Sequence, residues 1–225
     1  MEYLQNGFTL SIPQGCFPLS TDSVLLSDFV CLPRNARVLD LGSGCASLGL
    51  LLCAKDANCQ VDGIEIDEAS HNAALENIQR NGVSHRLRST CADLRDVSGG
   101  KYDVCVSNPP YYSGGPASKE TPLARRDDSC ELDELFRAAT GNLRYGGDFY
   151  LVHKPQRLAQ LCALGTRFGM EAKRLRLIRH CKDSEVNLIL LSFRKGGKPC
   201  LLWEEEYLHN DDGSPSDYYR KVYHL

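Results

Sequence analysis

From residue 37 onward, short apolar runs alternate with longer segments whose apolar residues recur at helical spacing. The runs predict strands near 37–41, 61–66, 86–91, 102–107, 147–153, 174–180 and 186–193. Between and before them, helical periodicity predicts helices near 21–31, 46–55, 68–81, 131–143 and 155–168. Alternation of this kind demands crossover connections, so the expected architecture is α/β, a seven-stranded, mainly parallel sheet with helices on both faces. Residues 112–130 form a polar, Gly- and Pro-containing stretch without periodicity, long enough to act as a lid. The last 30 residues, 196–225, with Gly196-Gly197, the acidic Glu204-Glu205-Glu206 and Asn210-Asp211-Asp212-Gly213, suggest a peripheral hairpin or tail. The chain divides into an N-terminal segment (1–36), a core (37–195) and this tail (196–225), all within one domain.

Polar residues of chemical interest gather where the strands end. Val38-Leu39-Asp40-Leu41 runs into Gly42-Ser43-Gly44 and then an apolar helical stretch, the layout of strand, glycine turn and helix found in nucleotide-binding α/β folds. Gly42 and Gly44 allow close backbone approach to a ligand, while Cys45 reads as a loop-filling residue beside it. Glu65, near the end of the second strand, stands where a carboxylate can accept both ribose hydroxyls, which fits an adenosine-containing cofactor. Asp93 follows the third strand and can meet the amine of an adenine. The fourth strand ends in Asn108-Pro109-Pro110-Tyr111. Two prolines remove two donors and fix the backbone, so an amide side chain, a carbonyl and an aromatic face form a receptor for a planar NH2 group. The plain alternative is a Pro-rich turn with a surface Asn and a packing Tyr.

This ordered set resembles the class I S-adenosylmethionine-dependent methyltransferases, with their Rossmann-like sheet, and among them the amino-methyltransferases carrying (Asn/Asp/Ser)-Pro-Pro-(Tyr/Phe/Trp). The glycine turn reads Gly42-Ser43-Gly44-Cys45-Ala46-Ser47-Leu48-Gly49, with the third glycine displaced from dinucleotide-binding spacing, which favours a cofactor without a pyrophosphate. A narrower likeness joins residues 17–30, Leu123-Ala124-Arg125-Arg126-Asp127, residues 149–155 and Lys173-Arg174-Leu175-Arg176 to the bacterial tRNA (adenine-N6)-methyltransferases that act 3′ of the anticodon of a valine tRNA. A His-Glu pair is common in that family where this chain has Arg126-Asp127.

The resemblance implies one antiparallel strand, S-adenosylmethionine as cofactor and the N6 amine of an adenine in tRNA as acceptor. It assigns Asp40, Gly42, Gly44, Glu65 and Asp93 to the cofactor and Asn108, Pro109, Pro110 and Tyr111 to catalysis, with Tyr111 stacking on the base. Thr21 and Asp22 could cap the methionine end, or Asp22 could serve as the N-cap of the helix that follows; Asp67 reads as another N-cap. The same four-residue motif also serves guanine N2 in rRNA, adenine N6 in DNA and the side-chain amide of a protein glutamine, whose enzymes carry a further N-terminal helical domain. A non-catalytic module that binds cofactor or RNA is the alternative from another class.

Composition narrows the partners. A net charge of −3 excludes capture of nucleic acid by bulk charge, so an RNA contact needs a local patch. One candidate spans residues 171–198, where eight Lys/Arg against three acids leave +5; the other reading is a solvated edge. Eleven cysteines, odd in number and without a Cys-x-x-Cys pair, read as small apolar residues in a reducing cytoplasm. Neither they nor the six histidines cluster at metal-ligand spacing, and no apolar stretch approaches membrane-spanning length. No metal and no membrane partner is expected.

Overall fold

The computed structural model describes residues 1–110 and 128–225. A small antiparallel pair, β1 (Glu2–Tyr3) and β2 (Thr9–Leu10), precedes helix α1 (Thr21–Phe29), which Ser20 caps through its side chain. The core then alternates: β3 (Arg37–Leu41), α2 (Ser47–Lys55), β4 (Gln60–Glu65), α3 (Glu68–Arg80), β5 (Leu87–Cys91) and β6 (Tyr102–Ser107). Next come α4 (Asp128–Asn142), β7 (Leu143–His153), α5 (Leu158–Arg167), β8 (Met170–Arg179) and β9 (Val186–Lys195). The chain closes with β10 (Leu202–Tyr207) and α6 (Asp217–Tyr223).

The main sheet has eight strands in the order β10-β8-β9-β7-β6-β3-β4-β5. Strands β3 to β7 are mutually parallel, and β9 alone runs against its neighbours β7 and β8. Successive residues of β3 explain the two-sided burial: Val38 joins the apolar layer under α1, α2, α3 and α6, while Leu39 joins the layer under α4 and α5. In the second layer Phe136 sets its ring edge-on to Phe149 and to Phe193, each at 5.3 Å between centroids.

The strand count of eight corrects the expected seven. The extra strand is β10, from the segment expected to be a peripheral hairpin or tail. Three consecutive glutamates suggest solvent, but here they lie beside the arginines of β8, with Glu204 opposite Arg176 and Glu205 opposite Leu177. Cross-strand charge complementarity carries this pairing. Arg176, whose side chain is 9% exposed, donates to Glu204 and to Asp28 of α1 at 2.8 Å each, and to the Tyr218 hydroxyl of α6 at 3.0 Å. One buried guanidinium thereby joins α1, β8, β10 and α6. Strand β7 also begins earlier than the expected residue 147, because α4 passes directly into it.

Arg176→Ala should lower the unfolding free energy by about 3 kcal/mol, since it leaves two carboxylates and a phenol without their shared partner. Urea unfolding at neutral pH checks this; a loss below about 1 kcal/mol would mean that apolar contacts alone dock the tail.

Candidate active site

A cavity of about 730 Å³ opens at the C-terminal ends of the parallel strands. Open α/β sheets bind ligands at this edge, because loops there diverge to opposite faces. Asp40, Gly42, Gly44, Glu65, Asp93 and Asn108 all line it, as do Pro109 and Pro110.

After β3 the chain turns through Gly42 (φ 76°) and Gly44 (φ 54°), both in the left-handed region that side chains disfavour. Nothing lies within 4 Å of where a Cβ would stand at either, so the turn presents bare backbone to open space. Its shape is held from β4. The Ile64 carbonyl accepts from the amides of Gly42 and Ser43 at 2.9 and 3.0 Å, and the Glu65 carboxylate accepts from Gly44 and Asp67 amides at 2.8 Å each. A carboxylate has about four acceptor directions, so Glu65 retains capacity toward the cavity. Asp67 caps α3 by accepting from the Ser70 amide at 2.8 Å.

Asp40 is 1% exposed, and its Oδ2 has no hydrogen-bond partner among the described residues. Burial, and next the charge of Glu65, push its carboxyl up to about 7 against the amide of Gly49, which favours the ionised form. A buried carboxylate oxygen without a partner in a cavity wall suits a cationic or amine-bearing ligand. Asp93 has a further role besides lining the cavity: it caps the turn Leu94–Asp96 through the Arg95 amide at 2.9 Å and pairs with the Arg95 guanidinium.

At the end of β6, the Ser107 hydroxyl donates to the Leu41 carbonyl at 2.7 Å and ties the two central strand ends together. The Asn108 amide nitrogen donates to Ser23 Oγ at 2.9 Å and to Ser20 Oγ at 3.3 Å. The first turn of α1 therefore anchors the amide side chain at the wall of the cavity.

The N-terminal segment reaches the site differently from expectation. Ser20, not Asp22, is the N-cap of α1; Thr21 is exposed and accepts from the Tyr223 hydroxyl at 3.2 Å. Neither Thr21 nor Asp22 is in the cavity wall; Phe17, Pro18 and Ser23 are. Helical geometry is the reason, since one turn carries Ser20 and Ser23 to the same face and turns the two intervening residues aside. Also unforeseen in the wall are His153 and Lys154 at the end of β7, with Arg157 beyond them. An apolar run closing on His-Lys-Pro was the available signal. Tyr111 and residues 112–127 of the expected lid at 112–130, with 123–127 among them, lie outside the described residues, while residues 128–130 open α4 and are not part of a loop.

Most of the basic stretch is internally engaged. Arg174 and Arg176 meet Glu204, Arg179 meets Glu205, Arg194 meets Asp148, and Lys173 and Lys195 donate to backbone carbonyls. Among the described residues, no group of three His, Cys, Asp or Glu gathers as for a metal, and no helix is long and apolar enough to cross a membrane.

A twisted parallel sheet with one reversed strand, a glycine turn after the first central strand, an acid at the end of the second and an Asn-Pro-Pro at the end of the fourth define a class I methyltransferase fold. The chain belongs to the methyltransferase small domain family, whose profile matches residues 20–173. It is 30% identical to a tRNA1(Val) (adenine(37)-N6)-methyltransferase of Tolumonas auensis, covering 84% of this chain and 80% of the relative. A protein of the same name from Dickeya chrysanthemi is 31% identical, covering 80% and 74%. Among solved structures, a predicted O-methyltransferase of Agrobacterium tumefaciens superposes with a TM-score of 0.76 over 91% of this chain and 96% of its own, at 18% identity. A methyltransferase of Pyrococcus furiosus gives 0.64 over 85% and 90%, at 23% identity. These two share the fold.

The raised carboxyl of Asp40 has a signed consequence. A group that binds its proton more tightly when folded stabilises the protein fully below its unfolded value, near ~3.9, and loses that contribution as pH rises through its folded one. In urea unfolding of the ligand-free protein, Asp40→Asn should gain stability relative to wild type between pH 5 and pH 8; a constant difference would refute the raised carboxyl.

Proposed function

We propose that this chain transfers a methyl group from S-adenosylmethionine to the exocyclic N6 amine of an adenine in tRNA. The observation that carries this reading is Asn108, held by Ser20 and Ser23 beside Pro109 in the wall of the cavity that Asp40 and Glu65 also line. The names of the relatives, which specify adenine 37 of a valine tRNA, support the acceptor.

The cavity suits the cofactor. Bare backbone at Gly42 and Gly44 admits close approach, the buried oxygen of Asp40 calls for an amine or cation, and Glu65 has acceptor capacity for ribose hydroxyls. Asp93 offers a carboxylate to the adenine amine. When bound, S-adenosylmethionine supplies a methyl group on a positively charged sulfur, already attached to a good leaving group.

The chain then has to make a poor nucleophile competent. The lone pair of an exocyclic adenine amine is delocalised into the ring. Accepting its two N–H bonds at Asn108 Oδ1 and the Pro109 carbonyl favours a pyramidal nitrogen and aims its lone pair. Orientation and fixed dipoles supply most of the rate, and no strong base is required, because the amine's proton can leave after transfer. Ser23 and Ser20 are positioning residues, since they hold the Asn108 amide in place at the cavity wall. An adenine in an anticodon loop turns outward at a cost of a few kcal/mol or less. The reaction belongs to the cytoplasm, where tRNA resides and where free thiols persist.

Incubation with methyl-labelled S-adenosylmethionine and tRNA from cells lacking this gene, followed by nucleoside mass spectrometry, should yield N6-methyladenosine. Asn108→Ala should lower kcat by about 100-fold or more while cofactor affinity is retained. Label appearing only in N2-methylguanosine, in DNA or in protein would overturn the adenine-in-tRNA reading. Ser23→Ala should lower kcat by about tenfold with KM for the cofactor unchanged; a change confined to cofactor KM would remove Ser23 from the positioning role.

A further inference from the structure

The segment that precedes α1 crosses the glycine turn as a fastened strap. At its start, the backbone of Thr9 and Ser11 exchanges hydrogen bonds of 2.7 to 2.9 Å with the side chains of Asn77 in α3 and Asn81 at its end. Asn77 also donates to the Cys45 carbonyl at 3.1 Å, and the thiols of Cys16 and Cys45 are hydrogen-bonded to each other. At the far end Ser20 and Ser23 hold the Asn108 amide. Cys45 directly follows the glycine turn, so the strap passes from that turn to Asn108.

Between these anchors, Cys16 and Leu19 are partly buried and pack against the apolar layer below. Phe17 and Pro18 are turned the other way, and both line the cavity. Phe17 is 58% exposed, although a phenyl ring is among the costliest side chains to leave in water. On an ordinary surface one exposed aromatic needs no explanation, but in the wall of a cavity, between two fixed points, it is a face for a ligand to cover. Phe17 stands three residues before Ser20, a span of about 10 Å or less. Along the sheet edge the order β6, β3, β4, β5 sets Asn108, the glycine turn, Glu65 and Asp93 in a row. Neighbouring strands stand about 4.8 Å apart, so the strand ends carrying Asn108 and Asp93 are separated by about 14 Å. The strap is anchored at the first two positions of that row. Phe17 therefore flanks the acceptor end of the cavity and not the end proposed for the cofactor's adenine.

We propose that Phe17 is a stacking platform for the unpaired target adenine whose amine Asn108 and Pro109 receive. The assignment deepens the adenine-N6 reading above and rests on it. Two acceptors hold an amine by its hydrogens and leave the base free to tilt about them. A ring laid against the face of the base removes that freedom, which is the freedom that aiming the lone pair requires. Every base has a π-face, so the platform adds affinity and orientation without reading sequence, and one stacked base contributes about tenfold or more to binding.

The test measures methyl transfer to full-length tRNA, and cofactor binding, with the wild-type, Phe17→Ala, Phe17→Leu and Phe17→Tyr proteins. kcat/KM for tRNA should fall about tenfold or more in both Phe17→Ala and Phe17→Leu and return close to the wild-type value in Phe17→Tyr. Leucine keeps the apolar bulk, so near-wild-type activity of Phe17→Leu would mean packing alone and overturn the proposal. Cofactor Kd should stay unchanged in all three, which also shows them folded; weakened cofactor binding with KM for tRNA unchanged would give the ring to the cofactor and overturn it. A direct signal comes from Phe17→Trp in a Trp203→Phe background, where residue 17 is the sole tryptophan. Its emission should be quenched by tRNA carrying the target adenosine and much less by the same tRNA with an abasic site there; equal quenching would overturn the assignment. Absence of any tRNA methylation by wild type would overturn the functional reading and this inference with it, whereas active wild type with unaltered variants would overturn the platform alone.

Discussion

The carboxylate of Glu65 holds the site together at a single point. It bridges the amide of Gly44, in the turn after the first central strand, and that of Asp67, which opens the helix after the second. The turn has no side chains of its own at Gly42 and Gly44 to pack it into place, so its conformation is imposed from the neighbouring strand. The same negative charge acts through space on Asp40 and, added to burial, keeps that carboxyl reluctant to ionise. Backbone exposure at the turn and polarity in the wall therefore share one cause. An isosteric amide at position 65 would offer one acceptor oxygen in place of two, and one of the two elements would lose its tie.

Much of this was legible in the sequence because it depended on local chemistry. Alternation of apolar runs predicts the strands, two glycines predict a turn with positive φ, and Asn108 before two prolines predicts a stiff group of acceptors. What was not legible depended on pairing across long separations. Strand β10 is a run of glutamates whose stability as a strand comes from arginines about 30 residues earlier. Ser23 looks like an ordinary first-turn serine until the fold brings Asn108 to it across 85 positions. His153 ends an apolar run, and only the fold shows that it stands in the cavity wall and accepts the amide of Lys154.

Charge along the chain illustrates the same limit. A basic stretch of +5 suggests a phosphate-binding face, yet its arginines are turned to Glu204, Glu205, Asp28 and Asp148. Local net charge counts residues in one window, whereas an ion pair draws its partner from anywhere. Apart from the buried Arg176, such pairs are largely exposed and contribute little to stability individually, but they neutralise the field that a ligand would feel. Two further basic residues, Lys154 and Arg157, line the cavity itself.

The buried guanidinium of Arg176 gives the molecule a calendar. Helix α1 is among the first segments to be synthesised, yet its Asp28 waits for an arginine nearly 150 residues later, and its Thr21 for the hydroxyl of Tyr223 at the far end of the chain. The helix that orients Asn108 therefore settles against its final partners only when β8 and α6 have folded onto it.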